Sequence, residues 1–131
     1  MVETDNFRCE INSALEVKII KDINQKPKSV NSGSAIEIET YTIAENGIYY
    51  FCYACTATSK PDGKYFIAYM LKNGGWTPIE VSGNYSVLRV SASCILSCNK
   101  GDVLKTMVEH NSGTALNVNY RFEIVKLMAT K

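Results

Sequence analysis

The chain has 131 residues, 46% hydrophobic and 21% charged, with 14 basic against 13 acidic residues and a net charge of +1. That length fits a single domain over residues 1–131 with a sizeable core. The even charge, without a basic run, argues against nucleic acid as a partner, and no apolar stretch reaches the ~18–20 residues of a membrane span.

From the N-terminus, residues 1–10 are polar and acidic and lack the basic and apolar regions of a signal peptide. Either the protein is made in the cytosol and not exported by that route, with display on a virion or cell surface, or a leader or stalk has been removed from this segment. Short runs rich in β-branched and aromatic residues then alternate with turn residues, the pattern of an all-β sandwich or barrel. Strands are predicted near residues 7–11, 16–20, 35–43, 48–56, 64–71, 78–81, 87–98, 103–109 and 120–127. Residues 26–34, with Pro27 and Gly33, read as a surface connection. Pro61-Asp62-Gly63 closes a hairpin, Asn73-Gly74-Gly75 supplies positive φ at no steric cost, and Asn99-Lys100-Gly101-Asp102 makes another tight reversal. A polar loop is expected over residues 111–117. Eight to ten antiparallel strands in one domain fit a jelly-roll sandwich better than a seven-stranded immunoglobulin sandwich. The latter's Cys–Trp–Cys core is also lacking, since Trp76 stands beside two glycines in a predicted turn.

One strand departs from the usual alternation. Gly47-Ile48-Tyr49-Tyr50-Phe51-Cys52-Tyr53-Ala54-Cys55 follows the turn signal Glu45-Asn46-Gly47, and its last eight residues are all apolar or aromatic. A strand with one wet face alternates apolar with polar. Both faces of this one are therefore expected to be covered, one by the core and the other by a second protein surface. The strand predicts an oligomer.

Five cysteines, Cys9, Cys52, Cys55, Cys94 and Cys98, read first as small buried hydrophobes in a reducing compartment, with a cross-strand disulfide or metal site as the rival reading. Residues three apart in a strand face opposite ways, so Cys52 and Cys55 do not clamp one metal ion. His110 is the sole histidine, which excludes a multi-histidine metal centre. Beside Glu109 it reads as a solvated residue at a strand end. Glu37 and Glu39 read as a same-face pair on a solvated edge, with Glu45 beyond them. Asn73-Gly74-Gly75 joins two strands and opens no helix, so it is no phosphate loop. No catalytic residue, metal ligand or cofactor is expected.

The order Gly47-x-Tyr49-x-Phe51, Leu71-x-Asn73-Gly74, Leu96-x-Cys98-x-x-Gly101-Asp102 and Phe122-x-x-x-x-Leu127 resembles the tumour-necrosis-factor-like and complement globular-head superfamily. The likeness runs from Ala35 to Leu127, with Cys98 where the family carries an aliphatic residue. It implies a compact jelly roll assembling as a homotrimer. Gly47, Tyr49, Phe51, Phe122 and Leu127 would pack the protomer core, leaving Tyr50 and Cys52 to face the trimer contact. No acidic cluster matches the family's calcium sites.

The expected function is a trimeric, non-enzymatic recognition or display head at the tip of a larger assembly, such as a phage fibre or bacterial surface filament, binding an unidentified protein or glycan. The rival reading is a purely structural virion or coat component without a ligand. Among the turns, Asn73 and Trp76 have the best recognition character, an indole beside flexible glycines.

Overall fold

The computed structural model describes residues 15–57, 64–83 and 89–131. The predicted strand at residues 7–11 and the Pro61-Asp62-Gly63 turn lie outside them. The described residues form eight antiparallel strands and no helix: β1 (Leu15–Val30), β2 (Ile36–Thr42), β3 (Gly47–Ala57), β4 (Phe66–Lys72), β5 (Gly75–Gly83), β6 (Arg89–Cys98), β7 (Val103–His110) and β8 (Leu116–Ala129). They make two four-stranded sheets, ordered β1-β8-β3-β6 and β2-β7-β4-β5. This is the double Greek-key order of a jelly roll.

The core lies between the sheets and follows from strand parity. Odd residues of β3 point inward from Tyr49 to Ala57, and even residues of β4 and β8 meet them. Phe51, Phe66, Met70, Leu104, Phe122 and Ile124 are fully buried. Tyr53 crosses this core, set edge-on to Phe122 with ring centroids 6.2 Å apart. Its hydroxyl donates to the Met107 carbonyl of the opposite sheet at 3.1 Å and accepts from Cys55 Sγ at 2.9 Å. Burial pushes the Cys55 thiol up to about 12. The four described cysteines are free: Cys55 and Cys98 are buried, Cys52 and Cys94 half-buried. Gly47 enters β3 where an added Cβ would stand 2.8 Å from the Met128 carbonyl oxygen. A side chain there would displace backbone, so only glycine fits.

Several boundaries differ from expectation. The 26–34 connection shrinks to residues 31–35, because β1 continues to Val30. Pro27 is tolerated because β1 is an edge strand. Lys21 and Lys26 hold β1 down by reaching Glu39 on β2, at 3.6 and 3.9 Å. Strand β8 begins at Leu116, which shortens the 111–117 loop to residues 111–115. Glu37 and Glu39 do not share a face, since the β2–β7 register shifts between them. Glu39 is thereby turned to the seam between the sheets, where the Tyr120 hydroxyl donates to it at 2.6 Å.

Candidate functional site

Two outer sheet faces carry the exposed apolar side chains, and they differ in kind. On the β1-β8-β3-β6 sheet, register aligns four apolar residues across all four strands. Ile19 is opposite Val125, Val125 opposite Tyr50, and Tyr50 opposite Ile95. Ile19 and Ile95 are 67% and 61% exposed. Tyr50 and Cys52 are half-buried on this same outward face, and burial raises the Tyr50 hydroxyl above its usual value. The next row is polar: Asp22 opposite Glu123, Glu123 opposite Cys52, Cys52 opposite Ser93. Between the rows a shallow groove of about 110 Å³ is lined by Ile19, Asp22, Glu123 and Val125. Arg121 forms an ion pair with Glu123. The sequence announces the β3 part of this face. It does not announce Ile19, Val125 and Ile95, whose alignment needs the sheet order and register.

The outer face of the β2-β7-β4-β5 sheet carries an aromatic pair. Trp76, 63% exposed, lies over Tyr69 with ring centroids 4.6 Å apart and planes at 35°. The sequence reading places Trp76 in a turn; it stands instead within β5, two residues past the two-residue turn Asn73–Gly74. Those turn residues have φ of 52° and 80°, the paired positive values that tight hairpins need. An irregularity between Tyr69 and Leu71 sets Trp76 opposite Leu71 and Glu80 opposite Tyr69. Thr77 holds it: its hydroxyl donates to the Met70 carbonyl at 2.8 Å and accepts from the Ile79 N–H at 3.2 Å. Pro78 has no N–H to satisfy there.

Asn73, expected as a ligand residue, is occupied by the fold. Its Nδ2 donates to Asp102 Oδ1 at 2.9 Å and its Oδ1 accepts from the Val103 N–H at 2.8 Å. It ties the β4–β5 turn to the β6–β7 turn. Asp102 also accepts from the Asn99 N–H at 2.7 Å. The Asn73 amide, the Asn99 N–H and the Lys72 ammonium together hold the Asp102 carboxyl below its usual range.

Gly47, Tyr49, Phe51 and Phe122 lie at buried positions, whereas Leu127 does not. A register shift between Ile48 and Tyr49 leaves Leu127 without a directly opposed residue on β3. It is half-buried, and Lys126 takes the inward place, its Nζ 2.8 Å from Glu45 Oε2. His110 is also not where the sequence suggests. It is fully buried, with Nε2 2.8 Å from the Val30 carbonyl, which assigns the hydrogen to Nε2. Nδ1 faces the Ser112 hydroxyl at 2.9 Å. Both nitrogens are spent pinning the ends of β1 and β7 to the following loop. Among the described residues no three His, Cys, Asp or Glu side chains converge as a metal site, and no helix is long and apolar enough to cross a membrane.

No protein-family model matches the sequence, and no curated protein matches it either. Solved structures do share the fold. The VP2 subviral particle of infectious bursal disease virus superposes with a TM-score of 0.62 at 8% identity, over 87% of this chain and 33% of that one. The PRD1 vertex protein P5 does so with 0.56 at 16% identity, over 89% and 96%. The C-terminal domain of EclA, a sugar-binding protein, does so with 0.51 at 12% identity, over 80% and 81%. The chain thus spans about a third of the viral chain and nearly the whole of the vertex protein. At such identities the likeness establishes the all-β jelly-roll fold and nothing finer.

Proposed function

We propose that this chain is a homotrimeric, non-enzymatic recognition or display head of the tumour-necrosis-factor-like and complement-head kind, mounted on a larger assembly. The observation that carries it is the apolar row Ile19–Val125–Tyr50–Ile95 across the whole β1-β8-β3-β6 sheet. Two of its members are more than 60% exposed in the lone protomer. A contiguous apolar band of that kind marks a protein contact, and cyclic closure would cover it without leaving an open edge. The order of Gly47, Tyr49, Phe51, Gly101 and Phe122 along the chain supports the family and its threefold solution. The full use of both His110 nitrogens within the fold supports a role without catalysis. Among the structures sharing the fold are a virus vertex protein and a subviral-particle protein, which supports display on a virion. The exposed Trp76 favours a head with a ligand over a purely structural coat component.

Light scattering at micromolar concentration tests the assembly. The expected mass is three times 14.6 kDa; a stable monomer sinks the reading.

A further inference from the structure

We propose that Trp76, laid over Tyr69 on the outer face of the β2-β7-β4-β5 sheet, is a stacking platform for a neutral pyranose sugar with a run of axial C–H bonds, such as a β-galactoside or β-glucoside. The proposal names the ligand of the recognition head and so rests on that reading.

The platform is rigid. Tyr69 is only 9% exposed and sits mid-strand between Glu80 of β5 and Met107 of β7. Trp76 is backed by that ring at 4.6 Å and anchored by the Thr77 hydroxyl on its C-terminal side. Its own outward face is uncovered. An indole face carries negative potential that attracts polarised C–H bonds, and a preset ring loses little freedom on binding.

The size of the apolar area selects a small ligand. Val17, Ile19, Trp76 and Ile95 are the exposed large hydrophobics among the described residues. All but Trp76 lie on β1 and β6 of the other sheet. A protein contact takes about 800 Å² per partner with an apolar centre. One indole supplies far less, but it matches one sugar face.

The charges select a neutral sugar. Glu80 is opposite Tyr69 and Glu109 opposite Ile67, on neighbouring positions of this face. Glu109 lies close enough to Tyr69 to raise its hydroxyl, after burial, and accepts from the Tyr65 hydroxyl at 3.3 Å. The nearby Lys105 is taken by Glu37 at 3.3 Å. Carboxylates at the rim accept hydrogen bonds from sugar hydroxyls and repel sialic and uronic acids.

Trp76 is the sole tryptophan, so its emission reads the platform directly. Titration of the whole chain with methyl β-D-galactopyranoside and methyl β-D-glucopyranoside, each to about 100 mM, should give a saturable change with Kd on the order of millimolar for at least one. The methyl glycoside of N-acetylneuraminic acid should give none. Trp76→Leu, apolar but not flat, should weaken binding about tenfold by saturation-transfer NMR, and Trp76→Phe should weaken it less. Mass and melting temperature are taken on the same samples. A monomer that binds a neutral glycoside upholds the platform and ends the trimer reading. A trimer indifferent to both glycosides overturns the platform. So does binding that survives Trp76→Leu, equal binding of the sialoside, or emission that follows protein concentration alone, which would make this face a protein contact.

Discussion

Replacing Ile95 by glutamate separates assembly from folding. Ile95 is 61% exposed in the protomer and Ile19 67%. Full burial of such a side chain contributes about 1.5–3 kcal/mol, so each leaves about 1–2 kcal/mol unrealised in a lone chain. A contact repeated three times realises that gain at every protomer. Glutamate at residue 95 removes it and strands a carboxylate in a dry interface, where the effective cost is several kcal/mol per ion. Within the protomer the same change falls at an exposed position on an edge strand. Surface substitutions of this kind stay within about 0.5 kcal/mol. The expected outcome is a variant with the native circular-dichroism spectrum whose scattering mass drops to 14.6 kDa. Tyr50→Glu, one strand over in the same row, should dissociate it too, at a larger cost to the fold because Tyr50 is half-buried. A trimer of undiminished stability in Ile95→Glu would show that the Ile19–Val125–Tyr50–Ile95 row is not the contact.

The other predictions concern the fold and its turns. Phe122→Ala should cost about 3–5 kcal/mol, read as a shift in denaturant midpoint at fixed protein concentration, because the ring is fully buried against Tyr53. Leu127→Ala, half-buried and outside the core, should cost much less, and equal shifts would refute the assignment of β8 faces. The Asp102 carboxyl is held below its usual range, so its contribution to stability is present above about pH 4 and lost as pH falls through the folded value. Asp102→Asn should therefore flatten the acid limb of a stability-against-pH curve; an unchanged limb would show that the Asn73–Asp102 link is not felt. Cys55, buried with its thiol pushed up to about 12, should resist alkylation at pH 8 in the folded protein and react at once in denaturant. Modification of Cys55 ahead of half-buried Cys52 in the folded protein would contradict this core.

The fold was legible because parity and turn chemistry survive in the sequence. The run from Ile48 to Cys55 announces a strand covered on both faces, and its odd residues are the ones that reach the core. Asn73-Gly74 announces a tight turn, and both residues do adopt positive φ. Two of the errors come from irregular register. An extra residue in β2 turns Glu39 from the solvent to the seam. Three shifts along β1 let a lysine-rich edge strand run to Val30, where Pro27 and Gly33 suggest a connection. A bulge leaves no mark in composition, because it depends on which partner strand is adjacent. Leu127 is a different case: it stands an odd number of residues from Phe122, so plain alternation from Phe122 and Ile124 points Lys126 inward and Leu127 outward. His110 misled for a different reason. A histidine beside a glutamate at a strand end looks solvated, and only the fold brings the Val30 carbonyl and Ser112 hydroxyl to its two nitrogens.

The two proposed surfaces were legible to different depths for the same physical reason. Trp76 could be singled out because one exposed indole needs no partner strand to be conspicuous. Its support could not, because Tyr69 lies under it only after the β4–β5 irregularity sets the ladder. The opposite face needs four strands in register before Ile19, Val125, Tyr50 and Ile95 form one row, so only its β3 member was in view. In the proposed reading the two faces divide the work by area. A band across a whole sheet can pay for the lost freedom of a second protein chain, whereas a single ring cannot. Covering the band would leave the β2-β7-β4-β5 sheet facing outward, with Trp76 as its apolar contact point. The proposed trimer, hiding one sheet and presenting the other, would put three copies of the proposed sugar platform on one particle. Millimolar sites then suffice, since linked sites on one particle exceed the single-site affinity by about 10²–10⁴ when a surface can engage them together.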